Sequence, residues 1–107
     1  MTINWKLQAF ILSASLWIAA PAAFGGGAEV YAKNCASCHG KDGKGETVMG
    51  KKAKVKDYTD AKVQASFTDA EALKMILEGK EKMKAYKDKV TEAEAKELVA
   101  YIRTFKK

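Results

Sequence analysis

One pentapeptide, Cys35-Ala36-Ser37-Cys38-His39, constrains this chain more than any other feature of its sequence. The two-residue spacer lets both thiols reach one edge of a porphyrin, where they add across vinyl groups and become thioethers. The histidine follows at once, so its imidazole can bind iron from one side of the ring. The chain has two cysteines and one histidine in 107 residues, and all three lie in this motif. The motif therefore predicts one covalently attached haem c.

Three other kinds of site also use two cysteines at this spacing. A zinc site needs four nitrogen or sulfur ligands, and this sequence offers three unless carboxylates take part. A thioredoxin-like dithiol expects a βαβ context, which the sequence lacks. A structural disulfide between Cys35 and Cys38, with His39 beside it by chance, is the remaining alternative. We favour the haem interpretation because the flanking sequence agrees with it.

Residues 1–22 are predicted to be a secretory signal peptide. Lys6 is the only charged residue among them, and the apolar run at 7–20 is short for a membrane span. A small-x-small cleavage pattern ends at Ala22. A retained N-terminal anchor is the alternative. Residues 23–107 would then form one exported, periplasmic domain that is small for a self-sufficient core.

The mature part is predicted to be all-α, with three helices. The first runs near 27–34 and leads into the haem motif, and Ala28, Tyr31 and Ala32 are expected to form its buried stripe. The segment 40–67 follows as one long loop, because four glycines and many lysines leave it without periodicity. A loop of that length usually wraps something or carries function. We expect it to wrap the edge of the haem.

The other two helices begin at capping boxes of the form Thr-x-x-Glu, at Thr68 and Thr91. In this motif the threonine hydroxyl and the glutamate carboxylate each satisfy a free N–H group of the helix. The helix after Thr68 is expected to end at Gly79. Apolar residues at helical spacing predict the buried faces, which are Ala72, Leu73, Ile76 and Leu77 in one helix and Ala95, Leu98, Val99, Ile102 and Phe105 in the other.

With these features in place, the mature chain resembles the small class I mono-haem cytochromes c, especially the bacterial and cytochrome c6-like members. The resemblance rests on Gly27-x-x-x-Tyr31 before the haem motif and on the residues from Leu98 to Ile102 in the last helix. It implies a small cytochrome c fold, with helices wrapped around one haem and the terminal helices crossing. In that crossing, Gly27 and Tyr31 would contact Leu98 and Tyr101.

Three methionines besides the initiator are candidates for the sixth iron ligand. Met75 lies inside the second predicted helix and is expected to fill the core. Met49 is ten residues past His39, from where the opposite haem face is hard to reach. Met83 lies on a short loop between two capped helices, and residues 82–86 are similar to the loop that carries the family's distal methionine. We therefore predict His39 and Met83 as the axial iron ligands.

The chain departs from its relatives in two places. Many relatives have a proline after the distal methionine, whereas Lys84 follows Met83 here. Relatives also often use a proline carbonyl to accept the other ring N–H of the proximal histidine. Because Pro21 is the only proline in the chain, a different carbonyl is expected to orient His39.

His/Met ligation would fill both axial positions and leave no open site for a substrate. No second histidine, paired carboxylates or nucleophile constellation indicates catalysis. The prediction is therefore a soluble, exported one-electron carrier that shuttles electrons between redox proteins and is not an enzyme. The alternative is a haem-based gas sensor or peroxidase-like enzyme with a weak or displaced distal ligand.

The formal net charge of +6 is relevant to which proteins this chain could bind. Two lysine clusters are predicted either to steer redox proteins with acidic docking surfaces or simply to be solvated. Lys56 and Tyr58 are further candidates for hydrogen bonds to a haem propionate, with surface placement as the alternative. We expect a monomer without nucleic-acid partners and without a membrane span in the mature part. The clusters are Lys41, Lys44, Lys51, Lys52, Lys54 and Lys56, and Lys80, Lys82, Lys84, Lys87 and Lys89.

Overall fold

The computed structural model describes residues 26–107, and the predicted signal peptide lies outside the described residues. The described part contains six helices and one isolated β-bridge, between Lys80 and Met83, and it has no strand. The predicted all-α class is confirmed. No helix in this part is long and apolar enough to cross a membrane. The helices are α1 (Gly26–Asn34), α2 (Ala36–His39), α3 (Val48–Ala53), α4 (Ala61–Ala65), α5 (Asp69–Glu78) and α6 (Glu92–Arg103).

Helices α1 and α6 cross with the most extensive contact between any two of these helices. Gly27 permits the close approach, because a Cβ there would collide with the carbonyl oxygen of Glu97 and lie 2.7 Å from the Cβ of Tyr101. The ring of Tyr31 lies 5.3 Å from that of Tyr101, and Leu98 is 1% exposed in the same core. The crossing that the resemblance implied is therefore present.

The buried stripe predicted for α1 is wrong in part. Ala28 and Ala32 are exposed, whereas Gly27 and Tyr31 are buried. Alanine is small enough to lie on either face of a helix, so the spacing of Ala28 and Ala32 did not identify the buried face of α1. Helix α1 turns the face that carries Gly27 toward α6, because only a residue without a side chain fits at the crossing.

Both predicted capping boxes form. The Thr68 hydroxyl accepts from the Glu71 amide at 3.0 Å, and the Glu71 carboxylate accepts from the Thr68 amide at 2.8 Å. Thr91 and Glu94 repeat the exchange at 3.0 and 2.9 Å. Helix α5 ends before Gly79, as expected. The predicted apolar faces supply the buried core with Ile76 from α5 and with Ala95, Leu98, Val99 and Ile102 from α6.

The expectation of one long loop over 40–67 is wrong, since α3 and α4 lie within it. Each short helix has an N-terminal cap: the Thr47 hydroxyl accepts from the Gly50 amide at 2.8 Å, and the Asp60 carboxylate accepts from the Lys62 amide at 2.8 Å. Helices of five or six residues show too few turns for hydrophobic periodicity to reveal them.

A buried polar network attaches α4 to α6. The side-chain amide of Gln64, only 5% exposed, donates to the carbonyl oxygens of Tyr58 and Ile102 at 2.7 and 2.9 Å. Arg103 donates to the backbone and side-chain oxygens of Gln64 at 2.5 and 2.9 Å, and to the carbonyl of Phe67 at 2.8 Å. The network holds the segment around Tyr58 against the C-terminal helix.

Candidate functional site

The Cys-x-x-Cys-His motif continues the path of α1. The Cys35 amide donates to the Tyr31 carbonyl at 2.8 Å, and the His39 amide donates to the Cys35 carbonyl at 3.0 Å. The helical path ends at Gly40, where φ is 85°. The buried Tyr31 hydroxyl donates to the Gly40 carbonyl at 2.6 Å, and burial raises the pKa of that hydroxyl. The α1–α6 crossing therefore holds both ends of the motif.

Helix α3 lies directly against the motif. A Cβ at Gly50 would collide with the carbonyl oxygen of Cys38, so only glycine allows this approach. The Thr47 hydroxyl donates to the same carbonyl at 2.7 Å, and the Gly45 amide donates to the His39 carbonyl at 2.8 Å. These contacts fix the loop after the motif and place α3 beside Cys38.

Two adjoining cavities, of about 500 and 720 Å³, lie between the motif, α3, α5 and the segment around Met83. Cys35, His39 and Met83 line both cavities, and Cys38 lines the smaller one. Each volume falls within the range of small-molecule and cofactor sites. Hydrophobic and aromatic residues supply much of the remaining wall: Val55, Tyr58, Phe67, Ile76, Tyr86 and Ile102.

The imidazole of His39 is suited to binding a metal. Burial lowers its pKa, which favours the neutral form that ligates metals. Its Nδ1 is buried and has no hydrogen-bond partner within residues 26–107, so the carbonyl that we expected to orient the ring is not found there. The ring stacks instead on Tyr58, with centroids 5.3 Å apart and planes inclined by 27°.

The two thiols are free and partly buried. Burial, with a smaller contribution from Cys38, raises the pKa of Cys35 to about 11, so this thiol stays protonated at neutral pH. A protonated thiol is a poor metal ligand and a slow disulfide former. The described residues contain no group of three or more His, Cys, Asp or Glu side chains that could hold a metal ion.

The segment that carries Met83 is attached to the end of α5. Lys80 and Met83 exchange two backbone hydrogen bonds, of 2.8 and 2.9 Å, and close a tight turn. A Cβ at Gly79 would lie 2.6 Å from the Met83 carbonyl oxygen, so glycine again permits the approach. The Tyr86 amide donates to the Ile76 carbonyl at 2.9 Å. Met83 is thus held at the cavity by backbone contacts on both sides.

The other two methionines lie on more exposed parts of the cavity walls. Met49 on α3 is 56% exposed and lines the smaller cavity. Met75 on α5 is 36% exposed and lines the larger one, so the expectation that it fills the core is wrong. Helix α5 buries the adjacent Ile76 in the core instead. Met83 is half-buried and packs against the core cluster.

The donors proposed for a propionate both line the larger cavity. Lys56 is exposed, whereas Tyr58 is half-buried, and burial raises the pKa of its hydroxyl. The Gln64–Arg103 network that supports Tyr58 is the part of the site that sequence reasoning missed. A polar residue such as Gln64 carries no signal of burial, because its partners at Ile102 and Arg103 are 38 and 39 residues away in the chain.

Residues 22–102 match the family described as "Cytochrome C oxidase, cbb3-type, subunit III". The chain belongs to this family of c-type cytochromes. The resemblance to small mono-haem cytochromes c is thereby confirmed, and membership of the family assigns haem-based electron transfer to this chain. No curated protein matches it.

Solved structures agree with the family. The structure named "KustC0563 c-type cytochrome" is similar, with a TM-score of 0.73 and 36% sequence identity over 77% of this chain and 99% of that one. A mutant of the same protein, with phenylalanine in place of one tyrosine, has a TM-score of 0.69 and 34% identity over 75% and 98% of the two chains. The cytochrome fold thus extends over nearly the whole of those proteins.

Proposed function

We propose that this cytochrome is a one-electron carrier with a single haem, held through thioethers by Cys35 and Cys38 and bound axially by His39 and Met83. One observation carries the proposal: all four side chains line the same cavity. They come from two regions, the motif after α1 and the turn after α5, which lie more than 40 residues apart in the chain. Haem bound there supplies a one-electron Fe(III)/Fe(II) couple.

Each residue contributes a distinct property to that couple. His39 offers a neutral imidazole nitrogen, since burial disfavours its protonated form. The thioether of Met83 favours Fe(II) and so raises the reduction potential. With both axial positions filled by the protein, no position is left for a substrate, which is why we propose a carrier rather than an enzyme. The buried side chains of Ile76 and Ile102 in the cavity wall exclude water.

We further propose that residues 1–22 direct export and that residues 23–107 act as a periplasmic monomer. Two features support this: the apolar run with its cleavage pattern in the first segment, and the c-type family of the second. Covalent haem attachment also fits an exported protein, because thioethers remove the two thiols from disulfide exchange.

The partners proposed are redox proteins with acidic docking surfaces. The Lys82 ammonium donates to the Lys52 carbonyl at 3.4 Å, so the two lysine clusters meet beside the smaller cavity. Lys54, Lys80 and Lys84 also line that cavity. A basic rim of this kind speeds association with an acidic protein, and salt weakens the effect.

Charge reversal tests the role of this rim. Replacing Lys82 and Lys84 with glutamate should slow electron exchange with an acidic redox protein, and the slowing should diminish as salt rises. The same replacements at Lys62 and Lys96, which line neither cavity, are the matched control and should change the rate less. Equal rates for both double variants would contradict the docking proposal.

The distal ligand provides the sharpest test of the carrier function. The oxidised protein should show the weak near-infrared sulfur-to-iron band of methionine ligation. Met83→Ala should remove the band, lower the reduction potential and allow carbon monoxide to bind the reduced protein. Met49→Ala and Met75→Ala are controls from the same cavity walls, and they should keep the band.

Two results would overturn the assignment. If the band survives Met83→Ala, another methionine is the ligand. If the unmutated protein lacks the band and binds carbon monoxide readily, the iron has an open position. A gas sensor or peroxidase-like enzyme would then replace the electron carrier.

A further inference from the structure

The two peptide groups that flank the side chain of His39 are both held by the loop after the motif. The Cys38 carbonyl accepts from the Thr47 hydroxyl at 2.7 Å, and the His39 carbonyl accepts from the Gly45 amide at 2.8 Å. The His39 amide itself donates to the Cys35 carbonyl at 3.0 Å. The backbone of His39 is therefore fixed on both sides, and one of these contacts is made by a side chain.

That side chain, Thr47, joins the end of one helix to the start of the next. Helix α2 ends at His39, and the last carbonyl groups of a helix have no partner within it. The Thr47 hydroxyl supplies the missing donor to the Cys38 carbonyl, and it also accepts from the Gly50 amide at 2.8 Å to cap α3. A hydroxyl that accepts one hydrogen bond is polarised to donate the other more strongly.

The backbone at Gly50 keeps this junction close. A Cβ at Gly50 would collide with the Cys38 carbonyl oxygen and would lie 2.8 Å from the Thr47 hydroxyl oxygen. Gly45 and Gly50 are buried, and Thr47 is half-buried. The hydroxyl is therefore held within reach of both of its partners.

We propose that Thr47 is a positioning residue for His39. Its hydroxyl fixes the orientation of the peptide group between Cys38 and His39, and so the direction in which the imidazole leaves the backbone. The inference rests on the proposed role of His39 as an axial ligand. Because Thr47 lines neither cavity, it acts on the site through that peptide group.

The orientation of an axial imidazole has a spectroscopic signature of its own. In an oxidised low-spin haem protein, the plane of the imidazole affects how the unpaired spin is distributed over the haem. The NMR shifts of the haem ring methyl groups report that distribution. A hydrogen bond that stabilises the fold without positioning the histidine would leave these shifts unchanged.

The experiment compares Thr47→Val and Thr47→Ser in the oxidised holoprotein. Valine has nearly the shape of threonine but lacks the hydroxyl, whereas serine keeps it. Thr47→Val should change the order or the spread of the haem methyl shifts, and Thr47→Ser should keep the pattern of the unmutated protein.

Thr91→Val is the matched control. The Thr91 hydroxyl also caps a helix, since it accepts from the Glu94 amide at 3.0 Å, but Thr91 lies at the start of α6 and lines neither cavity. Both valine variants lose a helix cap and should unfold at a lower urea concentration. Only Thr47→Val should change the haem methyl shifts.

Three outcomes would overturn the inference while histidine ligation is intact. They are unchanged methyl shifts in Thr47→Val, a Thr47→Ser variant that behaves like Thr47→Val, and the same shift changes in Thr91→Val. An unmutated protein without histidine ligation would instead overturn the proposed function, and this inference with it.

The unmutated protein supplies a test that does not depend on the folding of a variant. The hydroxyl proton of Thr47 should exchange with water more slowly than that of Thr91, because Thr47 is half-buried and donates to the Cys38 carbonyl. Equally fast exchange of the two hydroxyl protons would show that the bond to Cys38 does not persist, and the inference would be wrong.

Discussion

The α1–α6 crossing and the walls of the cavity both depend on glycine, but they differ in what completes their packing. At the crossing, Gly27 lets two helices touch, and buried side chains such as Tyr31 and Leu98 fill the interface. Around the cavity, Gly50 and Gly79 let backbone segments approach the motif and Met83. Those walls face the two adjoining cavities, of about 500 and 720 Å³, so their packing depends on what binds between them.

The two regions therefore contribute differently to the stability of this small domain. The crossing stabilises the chain through ordinary apolar burial, with Tyr31 2% exposed and Ala95 fully buried. The cavity walls carry more exposed apolar side chains, including Met49 at 56% and Met75 at 36%. A domain of this length has a limited core of its own. Stability and haem binding should therefore be tightly coupled at the cavity and weakly coupled at the crossing.

Removing both attachment points should have the largest effect. In a host that can mature c-type cytochromes, Cys35→Ala with Cys38→Ala should abolish covalent haem retention, and most of the cooperative unfolding should be lost with it. A haem stain after denaturing electrophoresis and a urea titration measure the two losses. Ser37→Ala, an exposed change within the same motif, should leave the stain intact. A stained band from the double variant would show that the attachment prediction is wrong.

At the crossing, Leu98→Ala should lower the free energy of unfolding by about 2–5 kcal/mol, because it opens a cavity in a fully packed interface. The near-infrared band should persist, since Leu98 lines neither cavity. Denaturant unfolding of the holoprotein measures the loss. Lys96→Ala on the exposed side of α6 is the control and should cost under about 0.5 kcal/mol. Equal losses in the two variants would remove the distinction between the crossing and the surface.

At the junction between the two regions, Gln64→Leu should lower the free energy of unfolding by about 1–3 kcal/mol. It removes the donor to the Tyr58 carbonyl and leaves the Ile102 carbonyl with backbone donors such as the Phe105 amide. The affected carbonyls belong to Tyr58 on the cavity side and to Ile102 on the crossing side. Denaturant unfolding checks the size of the loss. Lys62→Leu on the exposed face of α4 is the control and should be nearly neutral. If Gln64→Leu leaves the free energy of unfolding unchanged, the network does not couple the two regions.

The smallest effect is expected in the loop before α4. Hydrogen bonds from the Thr59 hydroxyl and amide, at 2.6 and 2.8 Å, hold the pKa of Asp57 below its usual value of 3.8. Because the folded-state pKa is depressed, the stabilisation is present above the unfolded value and is lost as pH falls through the folded one. The contribution should be under about 1 kcal/mol, since the group is close to solvent.

Urea titrations from about pH 5 to about pH 2.5 would measure this dependence. Asp57→Asn should remove this pH dependence of the free energy of unfolding. Thr59→Val should weaken it, because the hydroxyl that donates to Asp57 is lost. A pH dependence that is the same in all three proteins would show that Asp57 contributes nothing to stability.

Structural features that depend on residues close together in the chain were predicted well. The capping boxes at Thr68 and Thr91 could be predicted because each depends on two residues three positions apart. The apolar face of α6 was predicted for the same reason, since its spacing repeats along one helix. The roles of Cys35, Cys38, His39 and Met83 stay predictions, although the four side chains share a cavity.

The sequence by itself determined the cofactor class, the all-α class and the two capped helices, because each rests on residues a few positions apart. Only the tertiary structure decided that Ala28 and Ala32 are exposed, that Met75 lies on a cavity wall, and that Tyr58 stacks on His39. Those features depend on which distant segments meet. The backbone approach at Gly50 and the hydrogen bonds of Gln64 select that arrangement, and no local spacing in the chain encodes them.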